Sequence, residues 1–294
     1  HWTQIKSGIP TIAVRDMAIH KEENDLALAT FGRGFYILDN YAPLREIAKE
    51  TLDKEAHIFD VPDALMYVQK RNKYGQGSTN YLADNPSFGA TFTYYLKESP
   101  KTLKAQRKEK EKEIDETEKP IPMPSQDRIR KEKFEKTPHL IFEISDSKGN
   151  RVRRLTKKAS KGMHRITWDL KYESVYPVSE SNDEFKPLKD GRSGILAMPG
   201  EYNVKVLLYQ NGEINELDGP VSFECNLLNN VTLPAEDHDQ MVAYQKQMQE
   251  MARQVRGSYK WANDLKDRVQ YLRQVIYRTP EASPELIKEA RGID

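Results

Sequence analysis

The first forty residues alternate between apolar and polar side chains, which is the pattern of half-buried β-strands. The alternation occurs in three short runs, residues 14–19, 26–31 and 35–38. Asn24-Asp25 and Gly32-Arg33-Gly34 separate these runs, and Asn, Asp and Gly tolerate the positive φ angles that tight hairpin turns require. We therefore predict three antiparallel strands of one sheet within residues 12–39, with residues 1–5 beside them.

A second group of strand-like runs lies in residues 91–97 and 139–227, which are rich in β-branched and aromatic side chains. The turn signals Gly162, Pro199-Gly200 and Asn211-Gly212 recur at intervals typical of a small sandwich. We predict a β-sandwich whose inward positions alternate along its strands. These inward positions are Phe142, Ile144, Ile166, Trp168, Tyr202, Val204 and Val206.

Residues 98–137 form a charged insertion in this sandwich, and it contains the proline-rich segment 120–124. Lys and Glu side chains three or four positions apart stabilise a solvated helix. One interpretation is therefore a helical excursion between two strands. The other interpretation is an interaction arm that carries both signs of charge.

From Pro234 the apolar positions follow a helical period, with spacings of three and four residues in turn, as in a heptad seam. We expect residues 235–277 to be helical, and because Gly257 and Ser258 mark a point where the helix can break, the segment is either one long helix or a helical hairpin. We also expect the apolar stripe to be buried, either in the core or against a partner, which makes it a candidate interaction face. The stripe consists of Met241, Tyr244, Met248, Met251, Val255, Leu265, Val269, Leu272 and Ile276.

Composition excludes some partners. The 46 basic and 45 acidic residues nearly cancel, so no global field steers the chain onto nucleic acid or an anionic membrane. No apolar run approaches the roughly 20 residues that a membrane-spanning helix needs. The single cysteine, Cys225, excludes an internal disulfide framework and a Cys-based zinc site. We interpret Cys225 as a small buried strand residue.

The sequence contains no motif that identifies an active site. The six histidines lack metal-ligand spacing, and Gly32-Arg33-Gly34 is too short for a phosphate loop. Glycosidases need two carboxylates about 5 to 9.5 Å apart, and four aspartates near strands are candidates. We interpret these four as turn caps or backbone-bonding groups, so we predict no catalytic residue, cofactor or metal ligand. They are Asp16, Asp25, Asp39 and Asp169.

Several motifs, in order along the chain, resemble the closing blade and following domains of sortilin-like BNR (Asp-box) repeat β-propeller proteins. Such proteins include large secreted proteins of Bacteroidetes-type bacteria that are often labelled glycosyl hydrolases. The segment 199–204 is also similar to a bacterial immunoglobulin-like pattern found in flagellar hook-capping proteins. The matching segments are residues 1–5, 15–20, 24–34, 36–39, 85–90, 94–96 and 168–169.

The resemblance implies a mainly β chain with a helical tail. Residues 1–42 would be the last blade of a truncated propeller, and residues 43–90 a connector. Residues 91–230 would be an immunoglobulin-like sandwich, and residues 231–294 the helical tail. Because residue 1 falls in mid-strand without an initiator Met, and the last helical pattern stops without a cap, we expect both ends to be cut.

The resemblance further implies a non-catalytic accessory or interaction region of a secreted, periplasmic or cell-surface bacterial protein. Its partners would be the upstream propeller or another protein of a cell-envelope complex. The alternative is part of a glycoside hydrolase or peptidase whose active site lies in the propeller. A sialidase would need an arginine triad and a Tyr nucleophile; since Arg15 and Arg33 lack that context, no catalytic residue is carried over.

Overall fold

The structure, a computed structural model, describes residues 8–69, 84–116, 120–174, 176, 186–188, 193–228 and 237–292. It is mainly β with a C-terminal helical tail, as predicted. The chain divides into two compact units. The first comprises His1–Lys171, Lys186–Asp190 and Pro199–Thr232, and the second comprises Tyr172–Phe185, Gly191–Met198 and Leu233–Asp294.

The first unit begins with a three-stranded antiparallel sheet in the order β1-β2-β3. Its strands are β1 (Val14–His20), β2 (Asp25–Thr30) and β3 (Phe35–Leu38). Asn24 in the first turn has a φ of 56°, and Gly32 and Gly34 in the second have φ values of 77° and 75°. The prediction of three strands is therefore confirmed, and it follows from local turn chemistry. Residues 1–5 lie outside the described residues.

Two short helices, α1 (Ala42–Arg45) and α2 (Lys49–Asp53), lead from this sheet into a pair of larger sheets. One has the order β5-β13-β12-β7-β8, and the other has the order β4-β6-β9. The remaining strands among the described residues are β4 (Ala56–Ile58), β5 (Ala64–Met66), β6 (Ala90–Leu96), β7 (His139–Asp146), β8 (Arg151–Lys158), β9 (Gly162–Trp168), β10 (Lys171–Glu173), β11 (Ser193–Leu196), β12 (Gly200–Gln210) and β13 (Glu213–Leu227).

The two larger sheets face each other across an aromatic core. Ring centroids approach to 4.8 Å between Tyr94 and Phe142 and to 5.1 Å between Trp168 and Tyr202. Six of the seven predicted inward side chains are buried. Ile166 is only half-buried, because β9 is an edge strand that pairs on one side alone.

The charged insertion forms two helices, α3 (Leu103–Asp115) and α4 (Gln126–Phe134), between β6 and β7. Their N-caps are Thr102 and Ser125. Arg107 joins the helices through Nε and Nη2, which donate to the Glu132 carboxylate at 2.9 to 3.1 Å. The interpretation as a helical excursion is confirmed.

The second unit contains the paired strands β10 and β11 and two helices, α5 (His238–Arg278) and α6 (Pro284–Arg291). α5 is one continuous helix of 41 residues, capped at its N-terminus by Asp237. It runs through Gly257 without a break, so the tail is not a hairpin at that position. α6 packs on α5 with Ala290 buried. Within the described residues, no helix combines the length and the apolar character that crossing a membrane requires.

Candidate interaction surfaces

Register shows that both faces of the β1–β3 sheet are apolar. Residues directly opposite each other in antiparallel strands share a face. On one face Met17 lies opposite Leu28, which lies opposite Tyr36. On the other face Ala18 lies opposite Ala27, which lies opposite Ile37. An antiparallel sheet with one solvated side normally carries apolar residues on one face only.

Large apolar side chains on both faces reach solvent. Met17 on the first face is 65% exposed, and Phe35 on the second face is 80% exposed. Ile19 and Ile37 are also exposed, whereas Leu28 at the centre of the first face is buried. Arg15 stacks on the ring of Phe31 at 4.8 Å, which is a surface cation–π contact. The sheet thus offers two apolar surfaces for packing.

The structure brings two of the four candidate aspartates together. Asp25 and Asp39 line a cleft of about 770 Å³, whereas Asp16 and Asp169 are not among its lining residues. The Asp25 carboxylate accepts a hydrogen bond from the backbone N–H of Asn40 at 2.8 Å. Asp16 similarly accepts from the N–H of Met17 at 2.8 Å. Asp25 and Asp16 are therefore backbone-bonding carboxylates, in agreement with their interpretation from the sequence.

Arg165 on β9 also lines this cleft and was not singled out from the sequence. Its Nη2 donates to the backbone carbonyls of Asp39 and Asn40, each at 2.7 Å. Arg165 thereby ties the end of β3 to the edge of the larger sheets. An Arg at an outward position of an edge strand gives no local signal of such a contact, because its acceptors lie about 125 residues earlier.

Gly89 belongs to the segment 85–90 that carried part of the resemblance. Its φ is 128°, and a Cβ at this position would lie 1.8 Å from the carbonyl oxygen of Trp168. Only glycine allows the two backbones to approach so closely. This contact fixes the segment before β6 against the end of β9, beside Asp169.

His57 and Asp218 form a half-buried pair that joins β4 to β13. The Nδ1 of His57 lies 3.0 Å from Oδ2 of Asp218, and the same oxygen accepts from the N–H of Ile58 at 2.8 Å. The backbone contact makes this carboxylate a link between strands.

The single thiol, Cys225, is buried, and burial with the nearby Asp63 charge raises its pKa to about 12. Because the thiolate is the reactive form, Cys225 is inert at neutral pH.

The predicted stripe on α5 lies along one helix, but its expected burial is wrong for most of its length. Met241, Val269 and Ile276 are half-buried. The helical spacing of the apolar residues correctly predicted an apolar face, but spacing alone does not indicate what covers that face. The exposed stripe residues are Tyr244, Met248, Met251, Val255, Leu265 and Leu272.

The N-terminal half of α5 is partly engaged within its own unit. The guanidinium of Arg256 lies 4.0 Å over the ring of Tyr176, and the ammonium of Lys246 lies 5.6 Å from the ring of Tyr172. Between α5 and β11 lies a groove of about 400 Å³, lined in part by Met248 and Ile195.

Comparisons with known proteins assign no family to this chain. No family model and no curated protein matches the chain. A solved structure with weak likeness is dimeric latent PorU from Porphyromonas gingivalis, at 13% identity and a TM-score of 0.27. The match covers 69% of this chain and 12% of the PorU chain. At that TM-score the likeness carries no argument about fold or function.

The described residues also contain no cluster of three or more His, Cys, Asp or Glu side chains that could hold a metal ion. The first unit combines two larger sheets that meet at an aromatic core with a three-stranded sheet whose two faces are apolar. Its polar groups, such as Arg165 and Asp218, mainly connect segments of backbone.

Proposed function

We propose that this chain is a non-catalytic accessory and interaction region of a secreted or cell-surface β-propeller protein. In this proposal the β1–β3 sheet packs as a blade between neighbouring blades of a sortilin-like propeller. The larger sheets form an immunoglobulin-like domain beside it. The observation that carries the proposal is the apolar character of both faces of the β1–β3 sheet.

The reason lies in how propellers are built. Propeller blades are four-stranded antiparallel sheets arranged around a central channel, so each blade buries both faces against its neighbours. The β1–β3 sheet is a short meander joined by tight turns. It supplies three strands with apolar side chains on both faces, since Met17 is exposed on one face and Phe35 on the other. A sheet that stood alone on a sandwich would need only one apolar face.

The proposal is tested by placing a charge on each face. Met17→Lys and Phe35→Lys are made in this chain alone and in the full-length protein, with Lys21→Gln in the exposed turn as a control. Thermal melting should change little in the isolated chain, because both positions are already exposed there. In the full-length protein each substitution should lower Tm by several degrees, since it would bury an unpaired charge. If Met17→Lys, Phe35→Lys and Lys21→Gln all had the same Tm in the full-length protein, the result would contradict the proposal.

A further inference from the structure

We draw no further inference here: the strongest candidate, the groove of about 400 Å³ between α5 and β11, carries none, because the unpartnered amide nitrogen of Gln249 is buried out of reach of a ligand, Arg256 is exposed and stacks on Tyr176, and nothing in the structure shows what fills the groove.

Discussion

Trp168 shows how far a single residue could be understood from the sequence. Its alternation with Ile166 predicted an inward side chain, and the structure buries it completely. Its indole Nε1 donates to the carbonyl of Lys171 at 2.9 Å, and its ring contacts Tyr202 and Phe223. The indole donor finds its partner at the first residue of β10, so burial leaves no donor unpaired.

Cys225 and Tyr94 lead to a prediction about alkaline pH. Burial, with the charge of Asp63, raises the pKa of Cys225 from 9.0 to about 12, and burial raises the pKa of Tyr94 from 10.0 to about 12. At a pH between the ordinary pKa of each group and its raised value of about 12, the group loses its proton in the unfolded chain but keeps it in the folded chain. The free energy of unfolding should therefore fall as pH rises above about 9, by at most about 1.4 kcal/mol per pH unit for each group.

Urea unfolding between pH 7 and 11 measures this slope. Tyr94→Phe should make the slope shallower above pH 10, because the titrating hydroxyl is gone. It should also keep the stability of the parent chain at pH 7, since the Tyr94 hydroxyl is buried without a protein hydrogen-bond partner. Tyr95→Phe is the control, since the Tyr95 ring is less buried. A slope that is identical in the parent and in Tyr94→Phe would contradict the assignment.

At the scale of the element, local chemistry decided which predictions succeeded. The strands β1 to β3 could be predicted because Asn24, Gly32 and Gly34 adopt the turn conformations that their residue types favour. A continuous α5 could not be distinguished from a hairpin at Gly257, because glycine inside a helix costs only about 1 kcal/mol and does not by itself end the helix. The His57–Asp218 pair could not be predicted either, since its partners lie 161 residues apart.

Arg165 gives the prediction that belongs to this scale. Because its Nη2 bonds two carbonyls at the end of β3, Arg165→Ala should loosen that end of the sheet. Hydrogen exchange of residues 35–41 should speed up, while exchange in β7 and β12 should stay slow. The change is local because the Arg165 side chain is exposed and lies outside the aromatic core.

A control separates the hydrogen bonds of Arg165 from its charge. Lys161→Ala removes a cation next to the start of the same strand, where its ammonium pairs with Glu98 at 3.0 Å, so it should leave residues 35–41 unchanged. Faster exchange in both variants would mean that general electrostatics, and not the carbonyl contacts, hold the end of β3.

At the scale of the whole molecule, two apolar surfaces occur on a chain with almost no net charge. One is the β1–β3 sheet in the first unit, and the other is the stripe of α5 in the second unit. The formal net charge is +1 at pH 7, and the isoelectric point is about 7.9. Near-zero net charge removes the repulsion that keeps exposed apolar patches apart.

We therefore expect the isolated chain to self-associate most readily near pH 7.9, where static light scattering at rising concentration would detect it. Phe35→Lys and Leu272→Lys should each reduce the scattering, because each places a charge within an apolar surface. Gln270→Lys adds the same charge at an exposed polar position of α5 and serves as the matched control. If Gln270→Lys reduced the scattering as much as the other two, net charge alone would govern association. A larger effect of Phe35→Lys and Leu272→Lys would show that the apolar surfaces themselves drive it, which is the behaviour expected of surfaces that other proteins normally cover.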